Sequence, residues 1–129
     1  MTRTAFLAAI LLLSGCAGDQ LNAFAFPDRI VITGPLAEFA ENHTERAFMT
    51  GHEYCHILYG DADARFVTDH QKVQRETLAD ACALKLIADA GHDTCLIEPF
   101  LKRVKEARPR ADLAPSIALA EQACKAQEI

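Results

Sequence analysis

The sequence predicts a small, mostly helical α+β domain with a short sheet edge at residues 29–33. Four segments have the apolar surface and end signals of helices: residues 44–59, 75–91, 97–107 and 115–126. The chain has 129 residues, which suffices for one hydrophobic core and one domain. Its formal net charge of −5 gives no reason to expect a nucleic-acid partner.

The first predicted helix carries the most informative pattern in the chain. Thr44 can cap this helix, Glu45 suits its positive end and Gly60 follows as a stop signal. Within it lies the H-E-x-x-H sequence His52-Glu53-Tyr54-Cys55-His56. Five such residues arise by chance in roughly one chain in a hundred of this composition, but their place on a predicted helix lowers that risk.

On a helix, His52 and His56 lie about 40° apart around the axis and about 6 Å apart along it. Both imidazoles can therefore bind one tetrahedral zinc ion. Glu53 lies at the edge of the same face, where its carboxylate can contact a water on the metal and act as general base in a hydrolysis.

A third metal ligand is expected from the second predicted helix. Glu76 and Asp80 are four residues apart on one of its faces. Glu76 can complete a His-His-Glu set, and Asp80 can accept the free ring N–H of a liganding histidine and fix its tautomer. Without the H-E-x-x-H motif, the two carboxylates would be more typical of a solvated helix face than of a metal site.

These residues together resemble a known family. The pattern His52-Glu53-x-x-His56, then Glu76-x-x-Ala79-Asp80, resembles the gluzincin metallopeptidases related to the CAAX prenyl proteases and the HtpX-like peptidases, over about residues 29–105. The resemblance implies a minimal zincin-like domain in which a strand and turn at residues 29–36 precede the motif helix. It also implies Zn²⁺ on His52, His56 and Glu76, with Glu53 as base and Asp80 in support.

The N-terminus predicts export and lipid anchoring. Residues 1–15 read as a signal peptide, and Leu13-Ser14-Gly15-Cys16 looks like a lipobox in which Cys16 becomes the acylated first residue. The apolar run is too short to span a bilayer; an ordinary cleaved signal or an N-terminal core helix is the alternative. We expect a linker at 16–28, one metallopeptidase domain at 29–129, and a location at the periplasmic face of the bacterial outer membrane.

Four cysteines remain after lipidation, which in an oxidising compartment indicates two disulfides. An antiparallel hairpin of the last two helices brings Cys95 beside Cys124. Cys55 is then left with Cys82, which ties the histidine helix to the glutamate helix. Thiolate ligation of zinc is the competing interpretation, although the spacings contain no C-x-x-C unit.

The sequence therefore predicts a zinc-dependent endopeptidase of the cell envelope. An extended, unfolded polypeptide substrate would pair with the edge at residues 29–33, and the 60–73 connection is a candidate flap beside the cleft. The alternative is a non-catalytic envelope lipoprotein that uses zinc as a structural clamp and acts as a binding or assembly module. Glu53 distinguishes the two, because a structural site has no use for a carboxylate beside the metal-bound water.

Overall fold

The structure is a computed structural model that describes residues 23–26, 28–61 and 68–128. The predicted signal peptide, the lipidation residue Cys16 and the first part of the predicted linker lie outside the described residues. The described chain is mostly helical with one small antiparallel sheet, so the predicted α+β class is confirmed.

The sheet is a two-stranded hairpin of β1 (Ala23–Phe26) and β2 (Arg29–Ile32). Ala23 pairs with Ile32 and Phe26 with Arg29, in antiparallel register. Strand β2 is the predicted sheet edge. Strand β1 lies inside the segment predicted as a linker, 16–28, so that prediction is wrong for residues 23–26. The fold includes them because the apolar strand pairs with β2 and packs on the helix that carries the histidines.

Five α-helices and one short 3₁₀ helix, Thr94–Leu96, follow the hairpin in the described parts of the chain. The α-helices are α1 (Gly34–Phe39), α2 (His43–Leu58), α3 (Asp69–Asp89), α4 (Ile97–Ala107) and α5 (Ala114–Gln127). The last four correspond to the four predicted helices, whereas α1 was not predicted. No helix in the described ranges is long and apolar enough to cross a membrane.

Two helix starts differ from the sequence expectation because of their capping chemistry. Asn42, rather than Thr44, caps α2, and its side chain accepts the backbone N–H of Glu45. Helix α3 begins six residues earlier than predicted, because Thr68 and Gln71 form a capping box. The part of the predicted flap at 69–73 is therefore the first turn of a helix.

The core lies between α2, α3, α4 and α5, with α1 and the hairpin at its edge. The rings of Phe48 and Phe100 pack in a T-shaped arrangement, with centroids 6.2 Å apart. Gly51 faces Ala83 where α2 crosses α3, and a Cβ at Gly51 would lie 3.5 Å from that of Ala83. The largest side chains at the centre are Leu36, Phe48, Met49, Leu84, Ile87, Ile97, Phe100 and Leu101.

Both predicted disulfides are present. Cys55 of α2 is bonded to Cys82 of α3, and Cys95 is bonded to Cys124 of α5. The sequence separations are 27 and 29 residues, for which the chain-entropy model gives about 3 to 4 kcal/mol of stabilisation per bond. Because all four sulfurs are used in disulfides, thiolate ligation of zinc by these cysteines is excluded.

Candidate metal centre

Helices α2 and α3 bring His52, His56 and Glu76 together. The Nε2 atoms of the two histidines lie 3.1 Å apart. The Glu76 carboxylate bridges them, with Oε2 3.0 Å from Nε2 of His52 and Oε1 3.3 Å from Nε2 of His56. One ligand atom from each of the three residues therefore lies within 4.8 Å of the other two. These are the three residues for which the sequence predicts ligation.

Asp80 contacts the far side of the His52 ring, at a distance of 2.6 Å between Oδ1 and Nδ1. Its side chain is almost fully buried. An ionised carboxylate only accepts hydrogen bonds, so Nδ1 of His52 is the donor. The neutral ring then has its lone pair on Nε2, the atom that points at His56 and Glu76. Asp80 thus lies where a tautomer-fixing carboxylate was expected.

His56 has a carboxylate partner of its own, Asp61, which sequence reasoning missed. Nδ1 of His56 and Oδ2 of Asp61 are 3.0 Å apart. The other Asp61 oxygen is 3.7 Å from Nε of Arg75, in the second turn of α3. The sequence did show a carboxylate directly after the glycine that ends the helix. In the structure Gly60 has a φ of +72°, which ends α2 and turns the chain back toward His56.

Glu53 lies at the edge of the cluster and is not part of it. Its Oε1 is 3.7 Å from Nε2 of His52, and the residue is only 6% exposed. Burial raises the pKa of the Glu53 carboxyl, against an opposing effect of the two histidines. The carboxylate is thus held beside the metal-binding atoms in a setting that favours proton uptake.

Electrostatics at the centre favour positive charge. Burial lowers the pKa of His52. The hydrogen bonds and negative charges of Asp80 and Glu76 have a larger, opposite effect and raise this pKa well above its ordinary value. The same balance raises the pKa of His56, through Glu76 and Asp61. Burial raises the pKa of Glu76, but hydrogen bonds from both histidines lower it overall.

The chemistry of the donor set fits a divalent cation. Both Nδ1 atoms are taken by carboxylates, so in the neutral rings the two Nε2 lone pairs and the Glu76 oxygens all converge without a proton between them. A shared cation relieves the mutual repulsion of these acceptors. Two imidazoles and one carboxylate are a ligand set of catalytic zinc sites.

The centre opens into a cleft of about 890 Å³. All four residues of β1 line the cleft, whereas β2, the predicted substrate edge, does not. An apolar wall continues from β1 across α1, α2 and α4 and into the loop before α5. Its lining side chains are Leu36, Phe48, Met49, Phe100, Leu101, Val104 and Leu113.

The other histidines are placed away from the centre. The Nδ1 atom of His92 is 3.2 Å from the Thr44 hydroxyl, a contact that joins the end of α3 to the start of α2. His43 and His70 are exposed at helix starts. These three histidines lie at the surface or at helix ends, outside the candidate ligand group of the described residues.

The arrangement of the site residues is typical of one class of enzyme. Two histidines four residues apart on one helix, a buried glutamate beside the first, and a carboxylate from a second helix are typical of H-E-x-x-H metallopeptidases.

Residues 13–74 match the model of Peptidase family M48, so the predicted resemblance to a zinc metallopeptidase family is confirmed. The matched range contains His52, Glu53 and His56 and ends before Glu76, whose place rests on the geometry above. No curated protein and no solved structure is significantly similar to the chain.

Proposed function

We propose that the protein is a zinc-dependent endopeptidase whose metal is held by His52, His56 and Glu76. The observation that carries this proposal is that one ligand atom from each of these three residues converges on a single point. In both histidines the other ring nitrogen, Nδ1, contacts a carboxylate that fixes the ring. The match to Peptidase family M48 supports the same chemistry.

Glu53 is the general base in this proposal. When bound, zinc supplies a Lewis acid that polarises the scissile carbonyl and acidifies the attacking water. Glu53 takes the proton of that water and returns it to the leaving amine. Its burial supports this role, because a raised carboxyl pKa allows the proton to be held between the two steps.

We propose an extended polypeptide as the substrate. Strand β1 lines the cleft and pairs with β2 along one edge. Because the sheet of the described residues has only these two strands, we propose that a substrate strand adds to the other edge of β1 by β-augmentation. The neighbouring wall of Met49, Phe100 and Val104 suits an apolar substrate side chain. The pairing edge predicted from the sequence, residues 29–33, is replaced in this proposal by β1.

We further propose that the enzyme works at the periplasmic face of the outer membrane, anchored through Cys16. Six residues separate Cys16 from Ala23, and they reach at most about 25 Å even when fully extended. A lipid on Cys16 would thus keep β1 and the cleft close to the membrane surface.

The alternative function is a non-catalytic lipoprotein with zinc as a structural clamp. The Cys55–Cys82 disulfide already cross-links α2 and α3, so zinc at the same interface would add a second clamp to one already made. Glu53, buried beside the ligands, has no task in such a protein. Both observations favour the enzyme.

The test is cleavage of a panel of unfolded proteins and peptides by the purified mature domain. We expect cleavage that a chelator abolishes and that added zinc restores. Zinc bound at one ion per chain with no cleavage across the panel would instead support the structural clamp. The trial is repeated with the 62–67 connection shortened, so that inhibition by this segment is not mistaken for inactivity.

A further inference from the structure

The two histidines of the centre are supported in the same way by two different elements. His52 is held by Asp80, from the middle of α3. His56 is held by Asp61, which follows the last turn of α2. Both carboxylates are shielded from solvent, with side chains 4% and 14% exposed. The pattern of the H-E-x-x-H motif with Glu76 and Asp80 predicted the His52–Asp80 contact but not the His56–Asp61 contact.

The Asp61 contact fixes which nitrogen of His56 is available to a metal. Free imidazole favours the proton on Nε2, the position that would block ligation here. An acceptor at Nδ1 reverses that preference and turns the lone pair of Nε2 toward Glu76 and His52. A ring held from one side also has a fixed rotation about its Cβ–Cγ bond.

Arg75 forms an ion pair with Asp61. The Nε atom of Arg75 is 3.7 Å from the Asp61 oxygen that does not contact His56. Arg75 directly precedes Glu76 on α3, so the arginine and the ligand move with the same helical turn. The ion pair therefore connects the end of α2 to the part of α3 that supplies the third ligand.

We propose that Asp61 is a positioning residue for His56, equivalent to Asp80 for His52, and that Arg75 holds it in place. The zinc part of this inference rests on the proposed function. Asp61 acts through the histidine and does not touch the substrate. Asp61 belongs to the predicted flap at residues 60–73, so its contact with His56 attaches the first end of that segment to the metal centre.

The first test is zinc affinity, measured by competition with a chromophoric chelator. Asp61→Ala should bind zinc 10 to 100-fold more weakly than the wild type, the usual range for loss of such a partner. Asp61→Asn should lose less zinc affinity than Asp61→Ala, because its amide oxygen can still accept the ring N–H. Arg75→Gln should also lose less zinc affinity than Asp61→Ala, since it removes only the ion pair with Asp61 and leaves the Asp61–His56 contact.

Asp112→Asn is the matched control, because it removes the same charge from another carboxylate that lines the cleft. Its zinc affinity should equal that of the wild type. Wild-type affinity in Asp61→Ala would overturn the proposal, as would an equal loss in Asp112→Asn, which would mean that only net charge matters.

The second test reads the tautomers from the ring ¹⁵N shifts of His52 and His56, recorded on metal-free protein at alkaline pH, where both rings are neutral. Wild type should show the proton of His56 on Nδ1. In Asp61→Ala it should move to Nε2, while His52 keeps its wild-type signal. A purely structural role would disturb both rings together or neither, and either result would overturn the proposal.

This second readout separates the two claims. Absence of zinc binding by the wild type would refute the proposed function. The tautomer comparison would still decide the role of Asp61, since it needs no metal.

Discussion

The two glutamates of the centre differ in their surroundings, and this difference separates their roles. Glu53 is buried, which raises its pKa. The Glu76 side chain is 54% exposed and contacts both histidines, whose hydrogen bonds outweigh desolvation and lower its pKa. Two carboxyl groups whose pKa values are shifted in opposite directions within one site are typical of an acid–base residue beside a permanently ionised one. Glu53 thus suits proton transfer, and Glu76 suits ligation.

At this scale we predict that Glu76→Gln lowers zinc affinity strongly, because a neutral amide replaces a charged ligand. Metal content after dialysis against a weak chelator measures the loss. His70→Gln, in the same helix but at its exposed start, is the control and should keep its zinc. Full zinc occupancy in Glu76→Gln would refute the ligand assignment.

The sequence predicted some site residues and missed others for a geometric reason. His52, Glu53 and His56 share one helix, so their spacing alone determines their relative positions. Glu76 was inferred on a second helix, and its approach depends on how the two helices pack. Asp61 was missed because it lies beyond the helix, and its contact with His56 depends on the turn at Gly60.

At the scale of elements, the four longer helices and the sheet edge at β2 were predicted, and the other short elements were not. Helix α4 has the predicted bounds, because its apolar face and end signals lie within one segment. Strand β1 and helix α1 are four and six residues long, too short to show a hydrophobic period. Their conformations depend on tertiary contacts with α2 and the core.

The two disulfides provide a matched pair of perturbations. They close loops of nearly equal length, so replacing either pair by serine should lower the free energy of unfolding by about 2 to 4 kcal/mol. Only the Cys55–Cys82 bond joins the helices that carry the zinc ligands. We therefore predict weaker zinc binding in Cys55→Ser/Cys82→Ser, and unchanged zinc binding in Cys95→Ser/Cys124→Ser.

Chemical denaturation and zinc competition on the three proteins check this prediction. Each variant is compared at a denaturant concentration where it remains folded, so that lower stability is not mistaken for a weaker site. Equal zinc affinities in the two double variants would contradict a role of the first disulfide in the metal centre.

At the scale of the whole molecule, the proposed anchor residue is close in sequence to the strand that lines the cleft. Strand β1 both lines the cleft and follows the short stretch after Cys16. The chain has a net charge of −5, so anionic lipid head groups do not favour its association through overall charge. The proposal therefore attributes membrane association to the acyl chains on Cys16.

We predict accordingly that Cys16→Ser releases the protein from the membrane fraction of cells into the soluble envelope fraction. Fractionation with and without high salt measures this, and salt alone should not release the wild type. The purified variant should keep its zinc content, since Cys16 is not one of the three proposed ligands. A wild type that is found in the soluble fraction would contradict lipid anchoring.

The most direct test of the account is a paired measurement on wild type and Glu53→Gln. Glu53 is not a ligand in this arrangement, so both proteins should bind one zinc per chain and unfold alike. Peptide cleavage should fall in Glu53→Gln by on the order of 10² to 10⁴-fold, the contribution of a general base. Equal cleavage by the two zinc-loaded proteins, or loss of zinc from Glu53→Gln, would contradict the assignment of Glu53 as the base of a zinc peptidase.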